Sequence, residues 1–395
     1  MVGQPVVIPS YDADLFSDEA LTDPYGHLER IRDLGPVVRL DAHDVYVVAR
    51  YAEVRAVLGD PEAFCSGQGV GLNPFINEAG RGTTLMSDGE HHERLRSVIG
   101  RPLTPKALAQ LRPEAEVLAA ALADRVTAEG RFDGVSDLAE VLPATWVPDL
   151  LGWPRECREQ LLGWAGATFD GLGPVNDRTV AAGPGLLEMS AFAQTISSSA
   201  LPVGSMGAGI RAAADRGEIE AGQCPMAFID YLGPSLDTTI AALGNAVWLF
   251  STHPDQWRLL RDDPGRVKQA FNEVLRLETP VSGFTRVTTR PVELSGTELP
   301  VGSRVLVSFA SANRDERRWD RPEEFDITRN SAGHVGFGFG DHACVGMGLA
   351  RLEGSAILGA LVERIEGIEP AGPPVRRLNN LIRSFSSIPV VVRAA

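Results

Sequence analysis

Cysteine is scarce in this chain: Cys65, Cys157, Cys224 and Cys344 are four among 395 residues. They lie far apart and show no disulfide-framework spacing, so a reducing compartment is the simpler assumption. No stretch offers about eighteen uninterrupted apolar residues. The N-terminus, MVGQPVVIPSYDADLF, lacks a charged region followed by an apolar signal core. Neither a membrane anchor nor an export signal is expected, and a cytoplasmic location follows. Basic residues are also short, 37 against 52 acidic, for a net charge of -15. That balance argues against a nucleic-acid or anionic-membrane partner and suits an enzyme acting on a small molecule. Internal repeats and low-complexity tracts are absent. With 44% hydrophobic residues the chain can bury a large core in one big domain or two smaller ones.

What is present gathers near the C-terminus, in HVGFGFGDHACVGMGLARLE from His334 to Glu353. Gly336, Gly338 and Gly340 permit a tight loop and let backbone approach a bulky planar ligand. Beyond Cys344, Met347, Leu349, Ala350, Leu352, Ile357, Leu358, Leu361 and Val362 recur at spacings that predict one long buried helix. A cysteine at such a junction faces the positive end of the helix dipole, which favours the thiolate and readies it for a metal. On its own, Cys344 would read as a small buried hydrophobe. A zinc site built from His334, His342 and Cys344 is a rival, but no CxxC pair or nearby second cysteine completes a zinc pattern.

Phe337, Gly338, Gly340, His342, Cys344, Gly346 and Ala350 spell FGxGxHxCxGxxxA. This run closely resembles the haem-binding loop of the haem-thiolate monooxygenases, the cytochrome P-450 superfamily. The resemblance implies a haem b cofactor with Cys344 as its proximal iron ligand, a thiolate whose electron donation favours O–O cleavage. It also implies that Phe337 packs near the sulfur, that Gly346 is among the cofactor-binding residues, and that His342 bonds a haem propionate. Further matches lie in the family's order from His92 to Arg351 and imply one domain, residues 1–395, of mainly α fold with small β-sheets.

His92 and Arg96 lie four apart on a predicted helix and share a face. A solvated charged helix would account for them, and the resemblance implies haem propionate ligands instead. Arg286, in SGFTRVTTR, matches a further propionate-binding position, where a guanidinium forks onto a carboxylate. Glu273 and Arg276 are spaced i, i+3. As a surface pair they would contribute under about 1 kcal/mol, whereas the resemblance implies a lock behind the haem, completed by Arg329.

An apolar helix is predicted from about Ala221 to Phe250, with Asp237 and Thr238 inside it. A plain account has Thr238 bonding back to a carbonyl one turn earlier. The resemblance implies an acid–alcohol pair beside the iron, relaying protons that drive O–O cleavage. The usual small-Gly pair ahead of it is Pro234 and Ser235 here, and proline kinks the chain.

The rest of the chain reads as a helix in Asp23–Gly35, a hairpin in VVRLDAHDVYVVAR, and a long aperiodic loop from Phe64 to Met86. A structural helix follows from Thr104 to Gly130. Helices from Pro154 to Asp215 are broken at Gly171–Gly173 and Gly183–Gly185, which the resemblance makes a mobile lid. Further on come a hairpin in VELSGTELPVGSRVLVS, an irregular loop, and terminal strands with a turn at Ser384–Ser387 that in the family reaches the substrate pocket.

The resemblance implies that the chain activates O2 and hydroxylates or O-demethylates a small organic substrate. It looks nearest to bacterial members that oxidise small aromatics, among them para-substituted benzoates and methoxyarenes. Phe75, Leu85, Phe169, Val281, Phe284 and Phe385 are expected to line the pocket, with Arg81 meeting a carboxylate or phenol. Leu172, Val175, Leu186, Met189 and Phe192 are further candidates. No flavin, nicotinamide or iron–sulfur fingerprint is present. Electrons are therefore expected ultimately from NAD(P)H through a reductase and a ferredoxin, docked near Arg94, Arg101 and Arg351. Two other readings remain open: a peroxide-driven peroxygenase, and a non-catalytic haem binder or gas sensor.

Overall fold

The computed structural model describes residues 8–155 and 158–395, so Cys157 lies outside the described residues. Helices dominate, and the strands form sheets of six, three, two and two. The centre of the helical part is the long helix Met347–Arg364, laid against Pro105–Glu129. Ala115, Ala119 and Ala123 recur every four residues on the latter and are fully buried, so the two backbones can approach closely. Thr104 caps this helix by accepting from the amide of Ala107, and left-handed Gly130 ends it. On another side, Val267–Leu277 packs against the Met347 helix where Phe271 lies over Gly354, and any Cβ at Gly354 would enter the ring.

The six-stranded sheet runs Ser10–Tyr11, Val38–Leu40, Val45–Val48, Arg304–Ser308, Gly283–Thr288, Phe64–Cys65. Expected elements are found at Tyr25–Leu34 and at the 38–48 hairpin, whose turn places Asp44 at φ 52°. The Val292–Leu299 hairpin is also present, while Arg304–Ser308 joins the large sheet instead.

Several expectations are corrected. The Phe64–Met86 loop contains a helix, Pro74–Ala79, started by the side chain of Asn73. Gly183–Gly185 does not break the helical segment, because Asp177–Ser198 continues through it with Pro184 inside. Ser384–Ser387 is a strand paired with Val375–Arg377, not a turn. The Ala221–Phe250 segment is two helices, Cys224–Leu232 and Asp237–Thr252, separated at Gly233–Leu236. Pro234 has no N–H to offer the carbonyl of Asp230, which helps to end the first helix there.

Two buried charge clusters tie these layers together. Arg276 forks onto Glu273 at 2.7 and 2.8 Å, both side chains fully buried, and gives its other N–H groups to the carbonyls of Asn313, Pro322 and Glu324. Arg329 adds a 3.1 Å bond to Glu273. Asn313 in turn accepts from the amide of Val335, at the start of the cysteine loop. In the second cluster Glu278 accepts from Arg314, Arg376, Arg383 and Tyr25. Arg314 stacks on the Tyr25 ring, 3.4 Å from its centroid. Burial pushes the Glu278 carboxyl up, and the three guanidinium groups outweigh this and hold it below its ordinary range.

Candidate functional site

The cysteine loop is built by short backbone bonds. The amide of Cys344 donates to Phe337 O at 2.8 Å and that of Gly338 to Val335 O at 2.8 Å. Gly338 and Gly340 have φ of 69° and 72°, and a Cβ at Gly340 would collide with the carbonyl of Leu58. Helix Met347–Arg364 begins three residues after Cys344, not at it. Burial raises the Cys344 thiol above its ordinary value, although the amides of Gly346 and Met347 and the charge of Arg96 oppose that. The amides at the helix start favour the thiolate, as expected, but burial outweighs them, and a bound cation would have to supply the difference.

Cys344 opens on a cavity of about 380 Å³, which runs from the cysteine loop to the helices above it. Phe337, Gly338, His342 and Gly346 line one end with Arg96 and Arg286. Burial lowers the Arg286 pKa to about 10. His92 stands behind the wall, stacked on His342 at 4.2 Å, with its pKa lowered to about 4 by burial and neighbouring cations. His342 faces Asp88 at 3.8 Å. His92 Nε2 is buried with no partner. Among the described residues no three His, Cys, Asp or Glu side chains gather as a metal cluster, so the zinc reading has no ligand set.

At the other end stand Pro234, Ser235, Thr238 and Thr239, with Leu85, Phe169, Leu172, Leu186, Met189, Val281 and Phe284. Thr238 Oγ1 donates to Pro234 O at 2.9 Å, one turn back as the plain account expects. Asp237 faces away from the cavity. Its Oδ1 takes a 2.6 Å bond from Arg377, its Oδ2 is buried without a partner, and burial raises its pKa. Arg377 also lies near Asp170 and Glu140, both raised by burial, and Arg178 adds a second cation beside Asp170.

Some expected pocket residues lie elsewhere. Phe75 is 75% exposed on the outer face of its helix. Arg81 pairs on the surface with Glu78 at 2.8 Å, i, i+3 on a solvated turn, and meets no cavity. Phe385 is buried between Trp248 and Arg376. Val175 is exposed, and Phe192 packs on Trp164. Of the expected basic patch, Arg101 pairs with Glu218, and Arg351 turns inward over Phe337. Arg94 is exposed.

Sequence reasoning missed Asp230, Glu353 and Arg377. Asp230 and Glu353 both line the cavity; Asp230 is the lone acid of an apolar helix, a signal that was available, whereas Glu353 shares its helix with Arg351, Glu363 and Arg364. Arg377 meets Asp237 across 140 residues and gave none.

A family model described as Cytochrome P450 matches residues 266–387. The chain is 42% identical to cytochrome P450 CYP199A2 of Rhodopseudomonas palustris, over 98% of this chain and 95% of that one. It belongs to the cytochrome P450 family. Cytochrome P450 monooxygenase PikC of Streptomyces venezuelae is 33% identical over 97% of this chain and 94% of its own. The solved structure of CYP109Q5 from Chondromyces apiculatus superposes with a TM-score of 0.83 at 27% identity, covering 98% of this chain and all of that one. The fold is the cytochrome P450 fold, mainly helical with small sheets, and the protein is a cytochrome P450 monooxygenase. The family brings haem, O2 and electrons from a redox partner. Among the described residues no helix is long and apolar enough to cross a membrane.

The P450's own residues fit a haem. Cys344 faces the cavity, and Arg96, Arg286 and His342 line its edge close to the orphaned Nε2 of His92. That edge is cationic, as the propionates of a haem would require, and the rest of the slot is largely apolar.

Proposed function

We propose that this P450 hydroxylates or O-demethylates a small aromatic substrate in the cytoplasm. In this reading residues 1–395 act as one domain on haem b, and electrons pass from NAD(P)H through a reductase and an iron–sulfur ferredoxin. The observation that carries it is the placement of Cys344 and Thr238 on one cavity whose remaining wall is largely apolar. When bound, the haem supplies O2 activation and oxygen insertion. Cys344 would hold it through its sulfur with Phe337 packed nearby, and Arg96, Arg286, His92 and His342 would orient it by its propionates. Phe169, Leu172, Val281 and Phe284 exclude water and hold an aromatic ring.

Thr238 holds a hydroxyl proton at the cavity wall. Asp237, next to Thr238 in sequence, is the acid of the relay; burial raises its pKa, and the ion pair with Arg377 at the half-exposed edge of the protein opposes that. Its carboxyl passes a proton inward when it exchanges Arg377 for a water on the cavity side.

The reduced, carbon monoxide-bound protein should show a strongly red-shifted Soret band, and replacement of Cys344 by serine should abolish it. Asp237→Asn should slow reductant-driven turnover by about a hundredfold. Unchanged turnover in that variant would remove Asp237 from the relay. Peroxide-supported turnover at native rates would instead favour a peroxygenase.

A further inference from the structure

We infer that Asp230 is a specificity-determining residue which turns this cavity against carboxylate-bearing substrates and towards neutral or ammonium-bearing ones with a donor group at that end. Asp230 sits on Cys224–Leu232, one turn before the helix break, and lines the cavity beside Thr84, Met226 and Ile229. Its carboxylate accepts from the Thr84 amide at 2.8 and 3.1 Å and from the Thr84 hydroxyl at 2.7 Å. All three bonds are neutral donors from one loop residue, and the Leu85 amide adds a fourth. A carboxylate can accept at about four lone-pair sites, but neutral donors leave its charge uncancelled.

Asp230 has no ion pair among the described residues. The neighbouring Tyr231 does not donate to it, because its hydroxyl is turned to Ile99 O at 2.6 Å. The cavity's cations, Arg96 and Arg286, lie with the cysteine loop, where haem propionates would take them up. Arg81, the one cation that sequence placed near a substrate acid, is on the surface. An anionic substrate would therefore meet an uncompensated negative charge inside an apolar wall, with no guanidinium to receive it. Burial pushes the Asp230 pKa up to about 6, so the group is mainly charged at pH 7 and neutral below that value.

The inference rests on the haem reading of the cavity, and the test separates the two. On one holoenzyme sample the carbon monoxide band reports haem–thiolate ligation by itself. Affinities are then measured from the Soret shift of 1-phenylimidazole and its para-carboxylate and para-aminomethyl derivatives, all of which anchor on the iron whatever the natural substrate is. A merely apolar cavity would penalise both charged derivatives alike. Asp230 should instead make the ammonium bind tighter than the carboxylate by about tenfold or more at pH 7.5. That ratio should shrink as pH falls through 6, and the shared imidazole titration cancels from it. Asp230→Asn should bring the two derivatives within about threefold, and because Asp230 also anchors Thr84, the wild-type pH profile carries the test if that variant folds poorly. Equal affinities in the wild type, a preference for the carboxylate, or a ratio that ignores pH would overturn the assignment.

Discussion

Glu353 offers a prediction that runs against the usual effect of altering a buried acid. It lies on the cysteine helix, 1% exposed, its Oε2 has no partner, and burial alone raises its pKa from 4.5 to about 8. In the folded protein the carboxyl is neutral at pH 7, whereas in the unfolded chain it is ionised. Between pH 4.5 and 8 the folded state holds a proton that the unfolded state has lost, so stability falls as pH rises across that window. At about 1.36 kcal/mol per pKa unit the whole window is worth roughly 5 kcal/mol, of which roughly 3 kcal/mol has been lost by pH 7. Glu353→Gln has nearly the same volume and no charge to suppress. The variant holoenzyme should match wild type near pH 4.5, exceed it by roughly 3 kcal/mol at pH 7, and gain little more above pH 8. Parallel denaturant unfolding of the two holoenzymes, read by the Soret band and by circular dichroism at each pH, measures the difference, in which haem binding cancels. Parallel curves, or a more stable wild type at pH 8, would show that the carboxylate is ionised and partnered, and the reasoning would fail.

Glu273→Gln should destabilise the fold by about 3–5 kcal/mol, because it leaves Arg276 buried without its counter-charge; loss of haem retention at moderate temperature would show this, and a wild-type melting profile would refute it. Gly166→Ala should slow reductant-driven turnover while leaving the carbon monoxide band intact, since its methyl would occupy the place of the Arg377 guanidinium and free Asp237 from its partner. Gly283→Ala should lower the yield of folded holoenzyme, because its Cβ would press on the backbone carbonyl of Val307 in the neighbouring strand.

What the sequence made legible was local. The cysteine loop could be read because seven residues within fourteen carry its geometry, and the Glu273–Arg276 pair because both sit on one helix turn. A kink at Pro234 could be read, but the full break at Gly233–Leu236 could not, because hydrophobic periodicity continues on both sides of it. Phe75 was misplaced because an aromatic in a loop carries no sign of which way its helix turns. The Arg377 partnership depends on a hairpin folding back across 140 residues, and no periodicity encodes that. Asp230 was passed over for a different reason: a lone acid in CPMAFIDYL looks like an imperfection until a cavity is seen beside it.

The Glu278 cluster has a consequence for how the chain is made. Tyr25 leaves the ribosome long before Glu278, but Arg383 follows Glu278 by 105 residues. At about 5–20 residues per second, Glu278 waits on the order of 5–20 s for its last guanidinium. Throughout that interval the acid must stay hydrated, because burying it with its charge only partly answered is costly. The region around Glu278 is thus expected to stay open until the C-terminal hairpin arrives, and the cysteine loop is synthesised within that delay.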